Sequence, residues 1–201
     1  YKTAKVIVCH LGNGASVSAS INGKCIDTSM GLTPLQGSIM GTRSGSIDPT
    51  IIQYICHKEG RNVDYVMDIL NKQSGILGIS GVSSDFRDVQ AAQHEGNHRA
   101  DVAIQSFVYR IAKYIGSYIT AMNGVDIIAF TAGVGENDGE IRKAVCDYLG
   151  YLGITIDDEA NAMRGKERII STPDSKVIVA AVPTNEELAI ARQTLALVTS
   201  R

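Results

Sequence analysis

Three apolar runs in this 201-residue chain each end in a loop of glycine, carboxamide or carboxylate residues. Val6-Ile7-Val8-Cys9 runs into His10-Leu11-Gly12-Asn13-Gly14, and Ile127-Ile128-Ala129-Phe130-Thr131 runs into Ala132-Gly133-Val134-Gly135-Glu136-Asn137. Val177-Ile178-Val179-Ala180-Ala181-Val182 runs into Pro183-Thr184-Asn185-Glu186-Glu187. Buried strands that release such loops at their ends are how an open α/β sheet builds a ligand crevice. Glycine lets the main chain turn tightly and approach a phosphate closely. Ordinary connections in an α/β domain would share this local pattern, so the other motifs have to separate the two readings.

Between these runs the chain reads as a mixed α/β domain. A first strand over about 4–9 leads to a second near 16–21. Asn22-Gly23 then signals a type I′ hairpin, because both residues tolerate positive φ, and the return strand covers 24–28. Residues 29–46 are rich in Gly, Ser and Thr without periodicity, too long for a routine connector and better read as a functional loop. Asp48 and Pro49 start a helix whose Ile51, Ile52 and Ile55 predict an apolar face. Asn62 caps a second helix, and 75–88 reads as another glycine- and serine-rich loop. A helix over about 87–95 breaks at Gly96. Asn97 caps the longest helix, 98–122, where Ile104, Phe107, Val108, Ile111, Ile115 and Ile119 form one wide stripe. A final helix is expected over about 185–198.

Charge narrows the partners. Lys and Arg total 19 against 21 Asp and Glu, and no basic stripe with interleaved aromatics occurs, which argues against a nucleic-acid surface. A small anion needs only local donors. There is no signal peptide and no apolar run of transmembrane length, so no membrane partner is expected. Cys9, Cys25, Cys56 and Cys146 lack CxxC spacing and read as four free, buried thiols in a reducing, cytoplasmic setting. The chain opens without Met just before a core strand, as a missing upstream segment would leave it.

Several clusters could carry chemistry, each with a plainer alternative. Arg43, in Met40-Gly41-Thr42-Arg43-Ser44-Gly45, can extend its planar fork to a phosphate or carboxylate, or it is a solvated loop arginine or one that pairs with Asp48. His10 can donate to an anionic transition state, or it is a satisfied structural histidine. Asp85, Phe86 and Arg87 can hold a flat heterocycle; capping and core packing explain them equally well. Glu186 can hold magnesium or orient its water, although acidic residues are favoured in a first helical turn regardless. His94-Glu95-Gly96-Asn97-His98 matches HExxH, but Gly96 and Asn97 read as a helix stop followed by a cap, not as a zinc site. Neither GxxxxGK[ST] nor GxGxxG is present, so a phosphate reader here must use several separated loops.

Taken together, HLGNG at 10–14, TSMGLTPLQG at 28–37, MGTRSGSIDP at 40–49, SGVSSDFRDV at 80–89, FTAGVGEN at 130–137 and PTNEE at 183–187 resemble the acetate kinase and short-chain acyl kinase family, in family order across essentially the whole chain. The resemblance implies an α/β fold with the ribonuclease H-like core of the acetate-and-sugar-kinase, Hsp70 and actin superfamily, a mixed sheet flanked by helices. It implies transfer of the ATP γ-phosphoryl group to acetate, reversibly giving acetyl phosphate and ADP, with Mg2+ as cofactor. On this reading Arg43 and His10 resemble catalytic residues, and Glu186 the magnesium-associated carboxylate. Gly12, Asn13 and Gly14 resemble a phosphate loop, Asp85, Phe86 and Arg87 an adenosine pocket, and Gly133, Val134 and Asn137 its other wall. Complete family members carry a further N-terminal domain of similar size, holding a second arginine, another histidine and much of the acyl pocket. Residues 1–201 therefore look like the C-terminal nucleotide-binding domain, with a homodimer expected through this half. Propionate or butyrate kinase, and a non-catalytic nucleotide-binding module, are the alternatives.

Overall fold

The structure, a computed structural model, describes residues 3–199. It opens on an antiparallel meander of β1 (Lys5–Leu11), β2 (Ala15–Ile21) and β3 (Lys24–Thr28). Lys5 faces Ile21 and Leu11 faces Ala15 across the first pair. Asn22 and Gly23 take φ of 56° and 74°, as the expected hairpin requires.

Helices α1 (Thr50–Glu59) and α2 (Val63–Lys72) follow the long loop. Asp48 Oδ1 accepts from the Thr50 N–H and hydroxyl at 2.9 and 2.7 Å, and Asn62 Oδ1 accepts from the Tyr65 N–H at 3.0 Å, so both expected start signals act. The expected apolar face of α1 is not buried. Ile51 is exposed and Ile52 and Ile55 are half-buried, because α2 is the only helix that packs closely on it among the described residues.

Helix α3 (Gly75–Ser80) interrupts what the sequence suggests is a loop. Tertiary contacts override composition here: Ile76 is fully buried, and the N–H groups of Ile76 and Leu77 donate to Met40 O and Gly41 O. Next come α4 (Phe86–His94) and α5 (His98–Met122), separated by Gly96 at φ 89°. The two HExxH imidazoles therefore do not share a continuous helix.

β4 (Ile127–Thr131) returns parallel to β1 and leads to α6 (Ala132–Asn137) and α7 (Gly139–Asp147). α8 (Asp158–Ala162), β5 (Arg168–Ile169), β6 (Ile178–Ala181) and α9 (Glu186–Thr199) complete the chain. The sheet order is β3-β2-β1-β4-β6-β5, with β1, β4 and β6 parallel and the remaining pairs antiparallel. The two-residue β5 is too short to show in a sequence pattern.

α5 lays its stripe across β1 and β2. Ile104, Phe107, Ile111 and Ile115 pack with Ile7, Cys9, Leu11 and Val17, each such burial stabilising by roughly 1.5–3 kcal/mol. The alternate residues Val8, His10, Ser16 and Ser18 point to the other face and stay half-exposed. Cys9 and Cys146 lie in the core, where burial pushes both thiols up, Cys146 to about 12. Cys25 is exposed and Cys56 half-buried, contrary to the expectation of four buried thiols, because among the described residues β3 is exposed throughout and α1 packs closely only on α2. α9 buries none of its residues and leaves Leu188, Ile190, Leu195 and Val198 open. No helix among the described residues is long and apolar enough to cross a membrane.

Candidate active site

The three loops singled out by sequence leave one edge of the sheet side by side. His10 pairs with Thr131 at the ends of β1 and β4, and Phe130 pairs with Ala181 at the ends of β4 and β6. Parallel strands that end together aim their following loops at the same crevice.

The first loop is tight, with the Gly12 N–H donating to Gly14 O at 3.0 Å. The Arg43 loop lies directly against it. The Gly41 N–H donates to Asn13 O at 2.9 Å, and a Cβ on Gly41 would stand 1.9 Å from Asn13 Oδ1, so a larger residue there would displace the Asn13 carboxamide. A Cβ on Gly14 would stand 3.3 Å from Arg43 Nη1, which places the guanidinium at the phosphate-loop candidate. From behind, Gly75 supports the same segment. It has φ 61°, and a Cβ there would meet Met40 O at 2.2 Å and Arg43 O at 2.6 Å. Arg43 donates to Met40 Sδ at 3.8 Å and forms no ion pair among the described residues. Asp48 is committed to Thr50, so the Arg43–Asp48 alternative is not the arrangement found. His10 sits half-exposed on β1, facing away from the α5 core.

Beside this loop opens a cleft of about 890 Å³. Of the nine residues expected to bind nucleotide, it is lined by Gly12, Asn13, Asp85, Phe86, Arg87, Gly133, Val134 and Asn137; Gly14 lies outside, next to Arg43. Phe86 is 5% exposed and meets the Phe107 ring edge-on at 4.7 Å, so the core fixes this part of the wall. Asp85 caps α4 by accepting from the Arg87 N–H at 2.9 Å, and it also receives Arg87 Nε at 3.0 Å. These bonds hold its carboxyl down at about 2. Capping and cleft lining are thus both true of this segment. Asn137 Nδ2 donates to Gly133 O at 2.9 Å across the facing wall.

Gln90, His94, Glu140 and Arg164 also line the cleft, and sequence reading had not placed them there. Gln90 and His94 follow Phe86 at four-residue steps, a helical signal that could have found them. His94 Nε2 lies 3.3 Å from Glu140 Oε2, joining α4 to α7.

Glu186 opens α9 as an exposed carboxylate. The N-terminal capping bond comes from its neighbour, since Asn185 Oδ1 accepts from the Leu188 N–H at 3.0 Å. Glu186 therefore has an oxygen donor to offer outside the helix. Magnesium keeps several waters and takes one or two carboxylates plus substrate phosphates, so an exposed carboxylate suits its chemistry, although Glu186 lies outside the residues that line the cleft.

The fold and site are those of a mixed-sheet α/β domain that gathers loops from the carboxyl ends of its parallel strands around one crevice. Comparison with known proteins makes that narrower. Residues 1–192 match the model of the acetokinase family. The chain is 63% identical over 195 residues to the acetate kinase of Lachnoclostridium phytofermentans, covering 97% of this chain and 49% of that protein. The crystal structure of Porphyromonas gingivalis acetate kinase superposes with a TM-score of 0.94 at 47% identity, over 98% of this chain and 50% of the other. That of a propionate kinase from Francisella tularensis gives 0.88 at 46% identity, over 94% and 48%. The chain belongs to the acetokinase family. It spans about half the length of the curated relatives it matches.

Proposed function

We propose that this chain is the C-terminal nucleotide-binding half of a phosphotransferase that moves the ATP γ-phosphoryl group to acetate, reversibly giving acetyl phosphate and ADP. The observation that carries the reading is the continuity of the cleft with the Arg43 loop: Asn13 lines the one and is bonded to the other. A carboxylate oxygen of acetate attacks the γ-phosphorus as the bond to the β–γ bridging oxygen breaks, and the electron pair leaves on ADP. Such a transfer needs charge stabilisation and alignment more than covalent help. Arg43 extends its fork to the transferring group, and His10 donates to the same developing charge. Gly12, Asn13 and Gly14 cradle phosphates. Asp85, Phe86 and Arg87 form one wall of the adenosine pocket, and Gly133, Val134 and Asn137 the other. Mg2+, when bound, neutralises phosphate oxygens, with Glu186 as the carboxylate that holds it or its water.

The rest of the site belongs, on this reading, to an N-terminal domain. The length of the relatives supports that, as does α9, which buries none of its residues and leaves Leu188, Leu195 and Val198 exposed at helical spacing. A homodimer through this half and a cytoplasmic location rest on the family resemblance.

Titrating the 201-residue chain with ADP by calorimetry, beside an acetyl phosphate assay, tests the division of labour. We expect measurable ADP binding, weaker than in the full-length protein because no facing domain excludes water, and no turnover. A folded chain that binds no ADP would defeat the nucleotide-binding assignment. Normal ADP binding by a full-length protein that phosphorylates no short-chain acid would favour a non-catalytic module.

Likeness to the Francisella tularensis propionate kinase supports a second acyl preference. One methylene is worth only ~1–3 kcal/mol in a fitted pocket. Comparing kcat/KM for acetate, propionate and butyrate in the full-length protein separates these readings, and a clear propionate or butyrate preference overturns acetate.

Glu186→Ala discriminates metal binding from helix-end electrostatics. Metal binding predicts a higher magnesium requirement and lower kcat. A helix-terminus role predicts ~0.3–1 kcal/mol of lost stability with catalysis preserved. A magnesium titration of activity alongside thermal unfolding tells them apart; we expect the first outcome.

A further inference from the structure

One carboxylate oxygen joins two loops that the strand order alone leaves separate. Glu136, near the end of α6, accepts at Oε1 from the Ala132 N–H at 2.9 Å. The same oxygen accepts from the Thr184 N–H at 2.8 Å and from the Thr184 hydroxyl at 3.1 Å. Thr184 lies in the loop between β6 and α9, two residues before Glu186. Capping the start of α6 would need only the bond to Ala132. The two donors from Thr184, 48 residues away, make Glu136 a brace between loops.

The backbone at the brace is itself unusual. Three non-glycine residues among those described have positive φ, and two are asparagines, which tolerate it. The third is Ala132, at 65°. Alanine persists in that region only where its surroundings hold it, and the bond from its N–H to Glu136 is one such hold. Ala132 opens the α6 segment that carries Gly133, Val134 and Asn137.

We propose that Glu136 is a positioning residue that fixes the spacing between the nucleotide wall on α6 and the metal-associated carboxylate Glu186, an inference that rests on the phosphotransferase reading above. Glu136 acts through Ala132 and Thr184. With the brace in place, a nucleotide seated against α6 presents its phosphates to a Glu186 held at a set distance. Without it, the β6–α9 loop moves independently of α6. Partners that orient a metal-associated group from one layer out commonly alter metal affinity or activity by ~10–100-fold.

The test uses the full-length protein and three variants, Glu136→Ala, Glu136→Gln and Thr184→Val. Calorimetry measures ADP affinity with Mg2+ and with EDTA, and a parallel assay measures the magnesium concentration for half-maximal turnover. Wild type is expected to bind ADP more tightly with Mg2+ than with EDTA. Glu136→Ala is expected to shrink that advantage by ~10-fold and raise the magnesium requirement by a similar factor. Glu136→Gln retains Oε1 as an acceptor and restores most of both. Thr184→Val keeps its N–H but loses the hydroxyl, and falls between. A purely structural role would lower the unfolding temperature and leave the magnesium advantage intact, and that result overturns the proposal. So does Glu136→Gln behaving as badly as Glu136→Ala. If Glu136→Ala does not fold, Thr184→Val decides, since an unchanged magnesium advantage there is equally fatal. A wild-type protein that neither binds ADP nor turns over would instead bring down the phosphotransferase reading, and this inference with it.

Discussion

Arg43→Ala in the full-length protein is expected to lower kcat by more than ~100-fold while ADP affinity stays within about twofold. The asymmetry follows from where the side chain is and what holds its backbone. The loop is fixed by main-chain bonds that alanine preserves: Met40 N–H to Arg43 O at 3.1 Å, Ser44 N–H to Leu70 O at 2.9 Å, and Ser74 N–H to Thr42 O at 2.9 Å. Gly41 and Gly75 supply the close approaches and are untouched. The guanidinium contributes little to the fold, since its one hydrogen bond among the described residues, to Met40 Sδ, is long and weak. Arg43 is half-buried, so alanine also loses the packing of its stem, and stability should change by no more than ~1 kcal/mol. Arg43→Lys keeps the charge but not the two-pronged fork and should recover only part of the rate. Steady-state kinetics with a parallel ADP titration measures both quantities. Near-wild-type kcat for Arg43→Ala would remove this residue from the catalytic set, and a large loss of ADP affinity would move it into the nucleotide site.

The site was more legible in the sequence than the helical surface around it, for physical reasons. Loops that end parallel strands announce themselves twice, through the apolar run that buries the strand and through the glycines that close approach demands. Gly12 and Gly133 are placed that way, after the runs that form β1 and β4, although a Cβ would meet only ordinary contacts at Gly12 and nothing within 4 Å at Gly133. Caps were equally legible, because Asn62, Asp85 and Asn97 each accept from an N–H two or three residues on. What stayed hidden depends on partners distant in the chain. α3 forms from Gly-Ile-Leu-Gly-Ile-Ser because Met40 and Gly41 offer it carbonyls, and no local pattern carries that. Ile51, Ile52 and Ile55 predict an apolar face on α1, but periodicity does not say whether a second layer lies against it. The brace at Glu136 was invisible for the same reason. Its residue type and its place in the glycine loop were on the page, but Thr184 was not recognisably its neighbour.

Arg142 was not singled out by sequence either, and its replacement is expected to have the largest effect on stability. Basic residues are almost never fully buried unless something satisfies them, yet Arg142 has 0% exposure. Its acceptors are neutral: Nε donates to Asn161 Oδ1 at 2.8 Å, Nη1 to Gly135 O at 2.9 Å, and Nη2 to Asn161 O. Asn161 Nδ2 in turn donates to Gly139 O at 2.8 Å, so one guanidinium and one carboxamide tie α6, α7 and α8 together. Burial pulls the guanidinium down to about 10, which leaves it protonated at neutral pH, and the nearby Asp138 acts the other way. Arg142→Met fills comparable space and removes the buried charge, which returns part of the desolvation penalty. It also strands three acceptors at a site too enclosed for water to replace the fork, and each buried unsatisfied group costs about 1–3 kcal/mol. The second effect wins, so we expect a net loss of about 2–4 kcal/mol. For a domain near 200 residues that is a fall of roughly 5–15 °C in Tm. Arg142→Lys should restore little, because one ammonium cannot reach three acceptors spread in a plane. Urea unfolding of the full-length protein reads the loss directly. A loss below ~0.5 kcal/mol in Arg142→Met would mean that the hydrogen bonds only offset the burial of the charge. Gly135 would then be held by the packing of α6 on β1 and β4, rather than by the guanidinium behind it.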